Sequence, residues 1–199
     1  MQLILATSNQ GKVREFSQFF GEKLVPYSDI IPAFEIVEDG DSFAANALIK
    51  ARAIYDRLSN DAIVIADDSG ISVPLLGGEP GIYSARYARI NASDLDNLNK
   101  LISVIKANGV KRTPAYYTAA LALVCKEGEF VVHGWMHGDV IDEAKGDGGF
   151  GYDPMFVPQG YKQTLGELPN DVKKEFSHRS KALRLLQPIL KMIKRDKKE

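Results

Sequence analysis

The hydrophobic positions change period along the chain, and each change predicts an element. Residues 2–6 form a short apolar run, read as a buried strand. A polar loop at 7–11 follows. Val13, Phe16, Phe19 and Phe20 then recur at helical spacing, which predicts a helix from near Lys12. Leu24 to Tyr27 reads as a short strand, placed at a sheet edge by Pro26. Ala44, Ala47, Leu48, Ala51, Ile54, Tyr55 and Leu58 make the next helical stripe. Asp41 or Ser42 caps that helix, which runs to about Leu58. Residues 62–66 predict a buried strand that ends at Asp67-Asp68-Ser69-Gly70. Ser93 with Asp96 opens a further helix, burying Leu95, Leu98, Leu101, Ile102 and Ile105 and ending at Gly109. Residues 115–125 and 129–141 read as a hairpin turned at Lys126-Glu127-Gly128. Leu183, Leu186, Ile189, Leu190 and Ile193 mark a last helix over 179–194, with a kink or break expected at Pro188. This order implies one α/β or α+β domain around a central sheet.

Composition narrows the partners. The chain has 199 residues, 45% hydrophobic and 26% charged, with a formal net charge of −1. That is an ordinary globular balance, and no global field selects nucleic acid or an anionic membrane. The basic cluster within 191–199 is diluted by Asp196 and Glu199, so it is no nucleic-acid tail. No apolar run reaches membrane-spanning length, and the start of the chain lacks a signal pattern. The one cysteine, Cys125, allows no intrachain disulfide and falls in an apolar stretch, as a buried inert thiol would. A cytoplasmic location is the expectation.

The candidate chemistry lies at the ends of the apolar elements. Asp67 and Asp68 at a strand tip suit a hard cation such as magnesium, or equally a solvated turn. Thr7-Ser8-Asn9-Gln10-Gly11-Lys12, between strand and helix, offers backbone N–H groups and a point charge to phosphate. It has no Walker spacing, and plain capping is the competing reading. Glu38 precedes a helix on which Asn46 and Lys50 share a face; Glu38 could join the aspartates, or stay a solvated loop acid. Arg86 lies between Tyr83 and Tyr87 in a glycine- and proline-shaped turn, fit for stacking, phosphate or a subunit contact. Gly146-Asp147-Gly148-Gly149-Phe150-Gly151-Tyr152-Asp153-Pro154 lets backbone approach a planar base while the ring stacks on it, or is a plain glycine loop. Lys173 and Ser177-His178-Arg179-Ser180 gather donors at a helix start. His133 and His137 share a strand face, but a zinc site needs further ligands.

Taken in order, these stretches resemble the house-cleaning purine nucleoside triphosphate pyrophosphatases, the ITP/XTP pyrophosphatase family. The match runs from Ala6–Lys12 through Glu38, Phe43, Asn46 and Lys50 to Ala66–Gly70, Gly77–Tyr87, Gly148–Pro154 and Ser177–Arg179. Ser8 departs from it, standing where the family usually has glycine. The resemblance implies an elongated α/β fold of two lobes around a long mixed sheet, one domain over 1–199 with the nucleotide in the cleft. It implies a homodimer that uses Mg²⁺ to hydrolyse ITP, dITP and XTP to monophosphate and pyrophosphate. By motif, Asp68 is the general base. Glu38, Asp67 and Asp68 serve the metal, with Asp67 in support. Thr7, Ser8, Asn9, Gln10, Gly11, Lys12, Lys50, Ser69, Arg86 and Lys173 surround phosphates and sugar. Phe150, Gly151, Tyr152, Asp153, His178 and Arg179 read the base. A donor from His178 or Arg179 would suit a 6-oxo purine and oppose a 6-amino one. The competing readings are a Maf-type pyrophosphatase for modified pyrimidines and a non-catalytic nucleotide-binding module.

Overall fold

The computed structural model describes residues 2–8, 10–58 and 62–195; Asn9 and the end of the charged tail, 196–199, lie outside them. The elements are β1 (Gln2–Leu5), α1 (Gln10–Phe20), β2 (Val25–Pro26), α2 (Phe43–Tyr55), β3 (Ala62–Ser72), α3 (Asp94–Ala107), β4 (Arg112–Cys125), β5 (Gly128–Ile141), β6 (Phe156–Pro158), α4 (Asn170–Phe176) and α5 (His178–Arg195). Among the described residues the strands form one six-stranded sheet in the order β2-β1-β3-β4-β5-β6. It is a mixed sheet: β1 runs parallel to β2 and β3, whereas β5 and β6 are antiparallel. Pro26 sits on the edge strand, where its missing N–H costs no ladder bond.

The chain divides into two compact units. The first comprises residues 1–68, 119–133 and 182–199. Its parallel strands are apolar on both faces, as strands covered on both sides must be. Leu3, Leu5, Ile63 and Ile65 face α1 and α5, packing with Phe16, Leu183, Leu186 and Leu190. Their neighbours Ile4, Val64 and Ala66 point the other way, onto Ala47, Ala51 and Ile54 of α2. The second unit comprises 69–118 and 134–181. Its core joins Ile71 of β3 and Val73 just beyond it to Leu98, Leu101 and Ile105 of α3, with Tyr117, Met136, Val140 and Phe156.

Ser42 caps α2, its Oγ accepting the Ala45 N–H at 3.2 Å. Ser93 and Asp96 form a reciprocal capping box at α3. Three expectations change. β3 does not stop at Ala66: it carries Asp67 to Ser72 onward as strand. Apolar burial resumes at Ile71, whose N–H is satisfied by Ser84 Oγ at 2.9 Å. The acids therefore sit in mid-strand rather than at a tip. α5 is continuous through Pro188. One i−4 bond is lost there, but buried Leu183, Leu186, Leu190 and Ile193 on either side hold the helix to the core. Leu95 is 64% exposed, in the first turn at the rim of the α3 stripe, and Asn97 is buried on that helix instead. Boundaries also shift slightly: α1 begins at Gln10, and β4 and β5 begin at Arg112 and Gly128.

Candidate functional site

Polar chemistry collects in two places, one in each unit. In the first unit, β1 ends at Leu5 and Thr7 turns back, its N–H bonding the Leu5 carbonyl at 2.8 Å. The turn leads into α1, placing Lys12 in the first helical turns. Lys12 Nζ lies 2.8 Å from Asp67 Oδ2. Lys50, on α2, donates to Glu38 Oε2 at 2.9 Å and to Asp68 Oδ1 at 3.1 Å. Thr7, Ser8, Lys12, Glu38, Lys50 and Asp67 border a cavity of about 340 Å³. Two lysines thus answer three carboxylates.

Asn46 explains how Glu38 reaches this cluster. Its Oδ1 accepts the Gly40 N–H at 2.9 Å, folding the Glu38–Gly40 loop back over the start of α2. A Cβ on Gly40 would lie 2.7 Å from the Ala45 Cβ, so only glycine permits that approach.

The electrostatics follow from burial. Burial pushes the Asp68 carboxyl above its ordinary pKa; Lys50 pulls it down, and Glu38 and Asp67 push it up again. For Lys50 burial acts downward, but Asp68, Glu38 and Asp67 outweigh it and raise the ammonium. Among the described residues, no set of three or more His, Cys, Asp or Glu is arranged to hold a metal. Glu38 and Asp68 meet through Lys50 rather than directly. The donor chemistry nevertheless fits a hard divalent cation: all three acids offer oxygen, and Asp68 Oδ2 is buried with no hydrogen-bond partner among the described residues.

The second site borders a cavity of about 130 Å³ in the other unit, lined by Ser69, Phe150, Gly151, Tyr152 and His178 together with Tyr117. Phe150 is 63% exposed. His178 stacks on Tyr117, ring centroids 4.9 Å apart and planes nearly parallel. Asp153 is buried beneath the loop. It accepts from the Tyr117 hydroxyl at 3.4 Å and from the Phe150 N–H at 3.3 Å, with Lys173 Nζ 3.9 Å away. Burial raises its pKa to about 6, against the pull of Lys173 and of the hydrogen bonds from Phe150 and Tyr117. A Cβ on Gly149 would lie 2.1 Å from Asp153 Oδ2, and the backbone there has φ +85°. Glycine is required at this position on both counts. Arg179 Nη2 lies 3.4 Å from Ser69 Oγ.

The expected site residues divide accordingly. The first unit gathers Thr7, Ser8, Lys12, Glu38, Lys50, Asp67 and Asp68, while Gln10 and Gly11 form the first turn of α1. The second gathers Ser69, Phe150, Gly151, Tyr152, Asp153, Lys173, His178 and Arg179. Arg86 borders neither cavity; its guanidinium carbon sits 5.1 Å from the centre of the Tyr83 ring. Sequence reasoning missed Tyr117, Ser84 and Asp94. Tyr117 reads as one more strand aromatic, and nothing local marks it as the floor of a pocket.

Comparison with known proteins agrees across the whole length. The Ham1 family model matches residues 3–189. A protein of Sulfurovum sp. named dITP/XTP pyrophosphatase is 61% identical over 203 aligned positions, covering 100% of this chain and 97% of its own. One of the same name from Sulfurimonas denitrificans is 59% identical, covering 97% and 100%. The solved Ham1 protein of Staphylococcus aureus superposes with a TM-score of 0.87 at 37% identity, over 96% of this chain and 98% of that one. This chain belongs to the Ham1 family.

Proposed function

We propose that this protein hydrolyses non-canonical purine nucleoside triphosphates (ITP, dITP and XTP) to the monophosphate and pyrophosphate. The observation that carries the reading is the Glu38–Lys50–Asp68 bridge beside the Lys12–Asp67 pair. Lysines and carboxylates so interleaved suit a polyanion and a cation together, where bare carboxylates would repel phosphate. Relatives 61% and 59% identical along the whole chain bear the corresponding name.

Lys12 and Lys50 hold the triphosphate oxygens, and the Thr7–Lys12 turn adds backbone donors at a helix N-terminus. Asp68 orients a water for attack on the α-phosphorus and takes its proton. The burial that raises its pKa also makes it the better acceptor. The new bond joins water oxygen to the α-phosphorus, the α–β bridging bond breaks, and pyrophosphate leaves with the electron pair. Glu38, Asp67 and Asp68 would hold Mg²⁺, which when bound supplies charge neutralisation on the phosphate oxygens. Phe150 stacks on the base, and Tyr152, Asp153, His178 and Arg179 select it. Ser69 and Lys173, adjacent to Arg179 and Asp153, serve the same end of the nucleotide.

The test is a substrate panel with and without Mg²⁺, scored separately for pyrophosphate and orthophosphate. Pyrophosphate from ITP, dITP and XTP well above ATP and GTP is expected. Preference for modified pyrimidines, or binding without turnover, would overturn the reading. We further propose a cytoplasmic homodimer acting as one domain over 1–199. Among the described residues, no helix is long and apolar enough to cross a membrane. Light scattering on the purified protein reads the mass directly.

A further inference from the structure

We propose that Asp94 is a positioning residue for base recognition, latching the exposed Phe150 loop to the start of α3. The proposal rests on the reading of the second cavity as the base site. Asp94 Oδ2 accepts the N–H of Gly151 at 3.1 Å, a link between residues 57 apart in the chain. Gly151 follows Phe150 directly and has φ +58°, with no atom within 4 Å of where a Cβ would stand. Gly151 itself thus has open space at its Cα while Phe150 beside it is tied to Asp153, and the Asp94 hydrogen bond is what restrains Gly151.

This contact is not a by-product of helix capping. The Ser93–Asp96 capping box already satisfies the first turn of α3. A carboxylate at Asp94 gains a little from the helix end, but that requires no partner at Gly151. The same two turns of α3 also hold Ala85, another residue of the cavity lining. Asn97 is buried; its Nδ2 donates to the Ala85 carbonyl at 3.1 Å and its Oδ1 accepts the Ala88 N–H at 2.9 Å. Tyr152 adds a third tie, its hydroxyl donating to the Ser84 carbonyl at 2.7 Å. The cavity walls are therefore tied together from α3, and Asp94 is the tie nearest the stacking ring. Ordering a loop residue costs conformational entropy, and the latch meets that cost before the base arrives.

The experiment compares Asp94→Ala with Asp94→Asn, which keeps an acceptor oxygen. Three readouts are taken: hydrogen exchange of the 146–153 segment, KM and kcat with ITP, and inhibition by inorganic tripolyphosphate, which has no base. Asp94→Ala should speed exchange in the segment and raise KM about 3- to 10-fold with kcat within about twofold. Asp94→Asn should recover most of both. Tripolyphosphate inhibition should stay unchanged in both variants. Unchanged exchange and KM in Asp94→Ala, equal losses in the two variants, or parallel loss of tripolyphosphate inhibition would each overturn the latch. If the unaltered enzyme fails to release pyrophosphate from ITP, the proposed function fails, and the exchange data still judge the latch alone.

Discussion

The two cavities solve opposite electrostatic problems. In the first unit, Glu38, Asp67 and Asp68 crowd together and are held by Lys12 and Lys50. In the second, Asp153 accepts from the Tyr117 hydroxyl and the Phe150 N–H, with the Lys173 ammonium 3.9 Å away. Both aspartates, Asp68 and Asp153, are pushed upward by burial. Around Asp68 charges of both signs interleave. Around Asp153 the Tyr117 hydroxyl and the Phe150 N–H supply the hydrogen bonds, and Lys173 and Arg179 act on the carboxyl from further off. The contrast teaches that burial raises a carboxylate in either setting, while the neighbours decide whether charges or rings surround it.

The largest effect tests the charged cavity. Asp68→Asn should lower turnover of ITP by roughly 10²- to 10⁴-fold, as expected for a lost proton acceptor. Its melting temperature should stay close to the parent's; near-normal kcat would sink the base assignment. Lys50→Met should cost about 10²-fold, because it removes a charge from the phosphate site and leaves Glu38 and Asp68 facing each other. A loss confined to KM for the base would move Lys50 out of the phosphate role.

The aromatic cavity should give smaller, more selective losses. Arg179→Ala should erode the preference for ITP over ATP by about tenfold, with little change in tripolyphosphate inhibition. Unchanged selectivity would exclude Arg179 from base reading. The effect that leaves the chemistry untouched is a pH dependence of stability. The Asp153 carboxyl titrates near pH 6 in the fold, above its ordinary value of 3.8. The native state therefore binds the extra proton, so this group's contribution falls as pH rises from about 4 to about 6. The cost at pH 8 is at most roughly 3 kcal/mol. Asp153→Asn should stabilise the protein relative to the parent at pH 8 and not at pH 4, measured by urea unfolding. Equal shifts at both pH values would remove Asp153 as the cause.

Most elements were legible because their signals are local. The β1 and β3 cores, the Ser42 cap, the Ser93–Asp96 box and the β4–β5 turn all follow from short patterns. The misreadings came where a local signal was overruled. Asp-Asp-Ser-Gly looks like a turn, yet β3 runs through it because buried Ile71 and Val73 follow. Pro188 looks like a break, yet buried leucines on either side hold α5 continuous. The candidate site was legible as a list of motifs, and the place of Arg86 was not. Its motif fits the family, but its side chain rests on Tyr83 at the surface.

By itself the sequence determined the mixed α/β class and the run of helices and strands, and it named candidates for the chemistry. Those depend on periodicity, caps and glycine positions, all of which act within a few residues. Only the tertiary structure decided that Lys50 bridges Glu38 and Asp68 and that Lys12 meets Asp67. It alone put Tyr117 beneath His178 and joined Asp94 to Gly151. These contacts join residues from 12 to 61 positions apart in the chain. No local pattern encodes such a pairing, because it is fixed by how the strands and helices pack.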